Sequence, residues 1–436
     1  MQNFQRLHSA STNINIYYFG ASGFSYYAST TLLQPEFYQS LLDRGWRRSG
    51  TLLYKPDQRA SCCPQYTIRL DSDSFHASKD QRQALNRFNR HILGESYAKE
   101  AARLYPKSRD KAKKRKTDFD LLERTHESEK EHLQTPPEPS QSLTVTLEPD
   151  NFTEEKYLLF ENYQRIVHHE PPHRISKHGF KNFLCSSPLP RSKETFDQCG
   201  RCLGSYHQCY RIDGKLIAIG VLDLLPQCVS AVYFLYHESV HQYGFGKLGA
   251  LREISLAKEE GYKWWYAGFY IHSCIKMRYK ADYAPQYILD PESYSWDPLD
   301  EEMKKRLDSE KFVSLSQTPS EVGSIGKSAT MVANPMDAEN IDNDNDDPGD
   351  GSPVPLPDLP LFARSMPGIL TKSQLLTGID LDHIKLRIHG QEAETCDLMH
   401  WETKEMDNPN SIKGIIADLV AAVGVDLGNE MIVAFD

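Results

Sequence analysis

The run Lys215-Leu216-Ile217-Ala218-Ile219-Gly220-Val221-Leu222-Asp223-Leu224-Leu225 is apolar at both odd and even positions, interrupted only by Gly220 and Asp223. Side chains alternate between the two faces of a strand, so such a run fits a strand covered on both sides. That requires a layered fold with a sheet at its centre. The surrounding chain supplies the other layers. Residues 229–236 and 264–271 read as further strands. Residues 247–260 read as an amphipathic helix with Leu248, Leu251, Ile254 and Leu256 inward and Gly261 as its stop. Strand, strand, helix, strand is a mixed α/β (α+β) pattern.

Around this centre the 436-residue chain divides by composition. Residues 1–96 read as an N-terminal domain, with a helix near 32–45, a strand at 66–70 and a helix at 81–93. Residues 97–150 read as a basic, polar linker or extension: nine basic residues stand against two acidic ones between positions 99 and 116, and Pro136, Pro137 and Pro139 follow. Residues 151–304 form the densest segment. Residues 305–358 read as a disordered acidic loop, with seven acidic residues between 337 and 351. Residues 359–436 recover apolar content, with a helix at 411–423 and a strand at 431–435, and are expected to pack on the core.

The formal charge of -10 conceals a gradient. Residues 1–124 carry 21 Lys and Arg against 12 Asp and Glu, whereas residues 301–436 carry 11 against 25. The first part is suited to a polyanion, and the last is not. No stretch reaches the ~18 apolar residues of a membrane span, and the first ten residues lack the form of a signal peptide. Nine cysteines without a secretory signal read as reduced thiols or metal ligands. Cytoplasmic residence is expected, with Lys107–116 available as a nuclear signal.

Several side-chain groups could carry chemistry. Cys62 and Cys63, at a Pro-bounded turn, either offer two thiolates to a metal or are plain reduced thiols. Cys199-x2-Cys202 has the spacing of one zinc knuckle, but no second knuckle follows. Arg47 and Arg48 beside Trp46, with Lys79, Arg82, Arg87 and Arg90 further on, could meet phosphates. Ser205, Tyr206 and His207, together with Lys276, Arg278 and Lys280 after the third strand, could receive an anionic group. Nucleotide-binding loops, nucleophile elbows and zincin motifs are absent from the sequence.

Five blocks together resemble the arginyl-tRNA–protein transferases of the N-degron pathway. They are Asp43-Arg44-Gly45-Trp46-Arg47-Arg48-Ser49-Gly50, Cys62-Cys63-Pro64-Gln65-Tyr66-Thr67-Ile68-Arg69, Gly204-Ser205-Tyr206-His207-Gln208 through Pro226, Ala250-Leu251-Arg252-Glu253-Ile254, and Gly268 through Lys280. Met366-Pro367-Gly368 resembles a motif of the fungal and animal members. The resemblance implies a GNAT-like acyltransferase core and an aminoacyltransferase activity. It implies arginyl-tRNA as donor and protein N-termini bearing Asp, Glu or oxidised Cys as acceptors, in a chain expected to act as a monomer without a small-molecule cofactor. Ser205, Tyr206, His207, Lys276, Arg278 and Lys280 then become candidates for the acceptor. Arg47, Arg48, Lys79, Arg82, Arg87 and Arg90 become candidates for tRNA.

One departure stands out. The family pattern has a Cys-Gly-Tyr-Cys soon after its first Phe-Gly, and that pair joins the Cys-Cys pair around an iron–sulfur cluster or zinc. Here Phe19-Gly20-Ala21-Ser22-Gly23 runs directly into Phe24-Ser25-Tyr26-Tyr27. Cys62 and Cys63 are thus half of the family's metal site, and a bound cluster is not expected. Two alternatives remain: a variant that binds tRNA or N-termini without transfer, and an acetyl-CoA-dependent acyltransferase. Gln242-Tyr243-Gly244-Phe245-Gly246 only crudely mimics the pyrophosphate loop of the second.

Overall fold

The computed structural model describes residues 13–15, 25–190, 200–316, 359–399, 401 and 405–435. In chain order the elements are β1 (Asn13–Asn15), β2 (Ser25–Leu32), α1 (Pro35–Leu42), β3 (Arg47–Ser49), β4 (Leu52–Pro56), β5 (Tyr66–Asp71) and α2 (Lys79–Leu104). Then come α3 (Arg109–Thr117), α4 (Leu121–Thr125), β6 (Leu143–Pro149), α5 (Glu154–Ile166), α6 (Lys177–Leu184), β7 (Gly204–Ile212), β8 (Lys215–Leu225) and β9 (Cys228–Tyr236). The crossover helix α7 (Phe245–Glu260) leads to β10 (Trp264–Tyr270), α8 (Ile275–Arg278), β11 (Gln286–Leu289), β12 (Trp296–Pro298) and α9 (Glu301–Ser309). The C-terminal part adds α10 (Lys372–Gly378), β13 (Lys385–Ile388), β14 (Gln391–Glu394), α11 (Ile412–Val423), α12 (Val425–Glu430) and β15 (Ile432–Phe435).

The strands form two sheets. The larger has the order β12-β11-β5-β10-β9-β8-β7-β6, and the smaller β14-β13-β15-β1-β2-β4-β3. The apolar run is β8, buried at every position after Lys215. It needs both faces apolar because Ala218, Leu222 and Leu224 join one core while Leu216, Ile219 and Val221 join another under α5 and α6. The crossover helix buries Leu248, Leu251, Ile254 and Leu256, as its periodicity requires, and ends at Gly261 in the left-handed region. At Gly249 the helix approaches β9 so closely that any Cβ would strike the Phe234 ring.

The composition-based boundaries are corrected by the sheets. Strand β5 leaves the N-terminal segment to pair with β10 and β11 of the larger sheet. The C-terminal strand β15 lies between β13 and β1, so residues 359–435 complete the N-terminal sheet as well as packing on a core. The buried Trp46 indole donates to the Ala422 carbonyl at 3.3 Å.

Residues 97–150 are not a bare linker. Strand β6 forms the edge of the larger sheet beside β7, and the segment before it clamps α7. Thr125 bonds Ser255 at 2.9 Å, Arg252 donates to Glu129 at 2.9 Å, and His126 pairs with Glu259 at 2.5 Å. Some of the segment's charges are paired, Arg115 with Glu123 and Glu127 and Arg124 with Glu127, whereas Lys99 and Arg103 stay exposed. Helix α2 outruns the expected 81–93, but Gly94 (φ 76°) breaks it at that boundary, where any Cβ would strike Ser140 Oγ. The start of the expected acidic loop is also folded. Helix α9 covers 301–309, and Asp290 accepts from the Ser314 and Ser316 hydroxyls and the Leu315 amide. The acidic stretch at 337–351 lies outside the described residues.

Candidate active site at the parting of two strands

Strands β9 and β10 run parallel but pair only over Cys228–Ser230 and Trp264–Tyr266. Beyond that point β9 stays with β8, whereas β10 shifts register between Tyr266 and Phe269 and continues along β5. Gly268, at φ +77°, occupies the shift, a conformation that L side chains adopt rarely. The two strands therefore stop pairing with each other, and beyond the shift the Phe269 carbonyl takes the Lys280 ammonium instead. The parting follows the strand–helix–strand crossover β9–α7–β10. It lies at strand ends, where ligands collect in open α/β sheets.

Charged groups surround the parting. The Lys280 ammonium donates to the Phe269 carbonyl at 2.9 Å. Glu253 of α7 is 2% exposed and accepts from the Trp265 indole at 2.9 Å. Burial pushes its carboxyl up to about 7, against the lowering effect of that hydrogen bond and of Lys280. Just past β10, His272 bonds the Tyr270 hydroxyl at 2.6 Å and Asp308 at 2.8 Å. Arg278 folds back to the His272 carbonyl at 2.7 Å.

A second cluster joins the two sheets on the side of β10 that faces β3. Tyr266 donates to Asp43 at 2.5 Å. The Arg69 guanidinium lies between the Trp264 and Trp296 rings, 3.8 and 3.9 Å from their centroids. Arg47 stands over Phe269 at 5.0 Å and Tyr266 at 5.8 Å. Its neighbour Arg48 grips Asp223 with Nε at 2.8 Å and Nη2 at 2.5 Å, and reaches Ser205 Oγ at 3.0 Å. Both members of the Arg48–Asp223 pair are buried. A lone carboxylate within an apolar strand requires such a partner, so Asp223 was a signal in the sequence that a cation must come to β8.

The residues proposed for the acceptor do not assemble into one pocket. Ser205, Tyr206 and His207 are on β7, separated from β10 by β8 and β9. Ser205 is bound to Asp223 and Arg48. His207 is fully buried, with Nε2 at 3.0 Å from the Leu184 carbonyl, and burial, with Lys156 nearby, holds its imidazole down at about 3. Tyr206 is half-buried, its hydroxyl 3.4 Å from the Leu203 carbonyl. Lys276 and Arg278 are exposed on α8, and Lys280 lies at the parting itself. Only this second group of three adjoins the open strand ends.

The proposed tRNA contacts also divide. Arg47 and Arg48 are buried between the sheets and cannot serve as surface contacts for a phosphate backbone. Lys79, Arg82, Arg87 and Arg90 are exposed on α2. At 3.6 residues per turn they fall within a sector of about 140°. Sequence reading missed Asp43, Glu253 and the paired tryptophans, whose positions depend on contacts between distant elements.

Cys62 and Cys63 are adjacent free thiols with their sulfurs 3.4 Å apart. Among the described residues no third His, Cys, Asp or Glu joins them in a ligand-sized group. Two thiolates do not fit a four-ligand cluster or structural zinc. Cys199 and residues 19–23 lie outside the described residues. Cys202 is partly buried beside the first core, and its carbonyl accepts from the Tyr262 hydroxyl.

Comparison with known proteins matches both halves of the chain. The model of the arginine-tRNA-protein transferase C terminus matches residues 155–290, and that of the N terminus matches residues 9–83. Arginyl-tRNA–protein transferase 1 of Drosophila melanogaster is 29% identical over 385 residues, covering 65% of this chain and 79% of the relative. Arginyl-tRNA–protein transferase 2 of Arabidopsis thaliana is 27% identical over 469 residues, covering 72% and 76%. An aspartate/glutamate leucyltransferase of Stutzerimonas stutzeri is 27% identical over 273 residues, covering 60% and 86%. With both halves matched in order, and the matched blocks building the parted strands and the elements packed on them, the chain belongs to the arginine-tRNA-protein transferase family.

Proposed function

We propose that the chain moves an arginyl group from arginyl-tRNA to the α-amine of proteins that begin with Asp, Glu or oxidised Cys, and so marks them for ubiquitin-dependent degradation. It is an aminoacyltransferase. The observation that carries this reading is that the N-terminal and C-terminal family segments meet in one sheet, β5 of the first pairing with β10 of the second across the register shift at Gly268. In the reaction the neutral acceptor amine adds to the ester carbonyl. The bond from that carbonyl to the ribose oxygen breaks, an amide forms, and the ribose hydroxyl leaves with a proton. The ester is already activated, so alignment supplies most of what is needed. The backbone of β9 and β10 left without mutual pairing beyond Ser230 and Tyr266 is the place for an extended N-terminus to be held as an added strand.

A covalent enzyme intermediate is not part of this mechanism. Cys209 is buried and its thiol is pushed up to about 12, chiefly by burial. Cys228 is buried, and burial likewise pushes its thiol well up. Neither offers a thiolate at neutral pH. The exposed cations of α2 receive the tRNA backbone. The same reading puts the chain in the cytoplasm as a monomer, without a small-molecule cofactor or a stoichiometric metal cluster. Transfer of labelled arginine from charged tRNA to a peptide beginning with Asp, with acetyl-CoA as control donor, tests it. Labelled peptide with tRNA alone is expected. Acetylation, or no labelling, would refute it.

A further inference from the structure

Arg47 is 6% exposed, yet only one edge of its guanidinium is engaged: Nη1 donates to the Trp46 carbonyl at 2.8 Å. Nε and Nη2 are buried and have no hydrogen-bond partner among the described residues. A cation removed from water with two free donors is costly unless an anion arrives. Two aromatic faces, Phe269 and Tyr266, support the guanidinium plane but cannot satisfy those donors. The adjacent arginine shows what that edge is shaped to hold. In Arg48 the same two atoms, Nε and Nη2, take both oxygens of Asp223. Asp43 of the same cluster is engaged by the Tyr266 hydroxyl and lies 3.8 Å from Arg69 Nη1, and among the described residues no carboxylate pairs with Arg47.

Location points the same way. Tyr266 and Phe269 flank the register shift at which β10 leaves β9, so the unfilled edge of Arg47 belongs to the place where an acceptor strand would enter. We propose that Arg47 is the specificity residue for the acceptor: its Nε–Nη2 edge receives the side-chain carboxylate of an acidic N-terminal residue, and the bulge at Gly268 then brings that residue's α-amine to the parting. A planar fork suits a carboxylate in a way that a lysine ammonium does not. This inference rests on the transferase reading for the identity of the acceptor, but not for the existence of an anion site.

The test compares two peptides of identical sequence that begin with Asp or with Asn, on the full chain and on its Arg47→Gln and Arg47→Lys variants. Transfer is measured as kcat/KM, and peptide binding is measured separately by calorimetric titration. Arg47→Gln is expected to lower kcat/KM for the Asp peptide at least about tenfold, mainly through KM, while the Asn peptide changes little. Arg47→Lys is expected to fall between the two, and tRNA affinity should be unchanged. An equal loss toward both peptides would show Arg47 to be structural support and overturn the proposal, as would an unaltered Asp preference. If the parent binds the Asp peptide through Arg47 but moves no arginine, the transferase reading fails and the carboxylate site stands.

Discussion

Glu253 couples the crossover helix to the sheet and makes stability depend on pH in a calculable way. Its carboxyl is buried and held up to about 7, against an ordinary value of 4.5, chiefly by burial. In the unfolded chain the same group loses its proton near 4.5. Between those values the folded state binds more protons, so stability falls as pH rises through the window. At 1.36 kcal/mol per pH unit the full effect is about 3 kcal/mol, an upper figure because local relaxation reduces it. Glu253→Gln keeps an oxygen that can accept from the Trp265 indole and removes the titration. The variant should match the parent near pH 4.5 and exceed it by about 1–3 kcal/mol at pH 8. Asp418, also pushed up to about 7 mainly by burial, adds a slope of the same sign that the variant retains. Urea unfolding followed by tryptophan fluorescence from about pH 4.5 to 8 measures the difference. A variant less stable than the parent at high pH would show that Glu253 is ionised and stabilised in the fold, and one with the parent's full slope would show that Glu253 does not set the pH dependence.

Three other outcomes are expected. Arg48→Met leaves Asp223 as an uncompensated buried charge and should destabilise the chain by about 3–5 kcal/mol, read from denaturant midpoints, while Arg48→Met with Asp223→Leu recovers much of the loss; a neutral single variant would contradict the buried pairing. Arg82→Glu and Arg90→Glu on α2 should weaken tRNA binding and lower its logarithmic salt slope by about 0.7–0.9 for each phosphate no longer neutralised, whereas unaltered binding across a salt series would remove α2 from the interface. Anaerobic reconstitution followed by iron and zinc analysis should give well under one cluster or zinc per chain, and a full complement would assign further ligands to residues outside those described.

The elements that were legible in the sequence are those whose burial pattern is set locally. The apolar run 215–225 demanded a central strand because no one-sided strand could hold it, and β8 has those bounds. The helix ending at Gly261 could be read from its spacing and its stop. Helix α11 and strand β15 fall within a residue of their expected limits. The segment 97–150 misled because its net composition is polar, whereas folding depends on where its few apolar residues fall. Leu121 and Leu143 are buried in the first core, with Phe119 and Val145 packed against it, and Arg115 and Arg124 pair with Glu127 between them. Composition averages over a segment and so cannot register that arrangement.

The site was legible only as a set of residue types. Cations beside an aromatic residue at 46–48 suggested an exposed polyanion surface, because nothing local to Trp46, Arg47 and Arg48 says that two sheets will close over them. What buries them is a carboxylate 175 positions later in the chain, on β8, and a C-terminal helix that reaches Trp46 from the far end of the sequence. The two arginines then differ in a way that no sequence pattern could reveal. Arg48 is neutralised internally by Asp223 and holds the sheets together, whereas Arg47 presents the same donor edge with nothing on it among the described residues. The fold satisfies one buried guanidinium fully and leaves its neighbour half-satisfied, while Asp43 of the same cluster serves Tyr266 and Arg69. The unfilled edge thus marks a position at which binding takes precedence over stability.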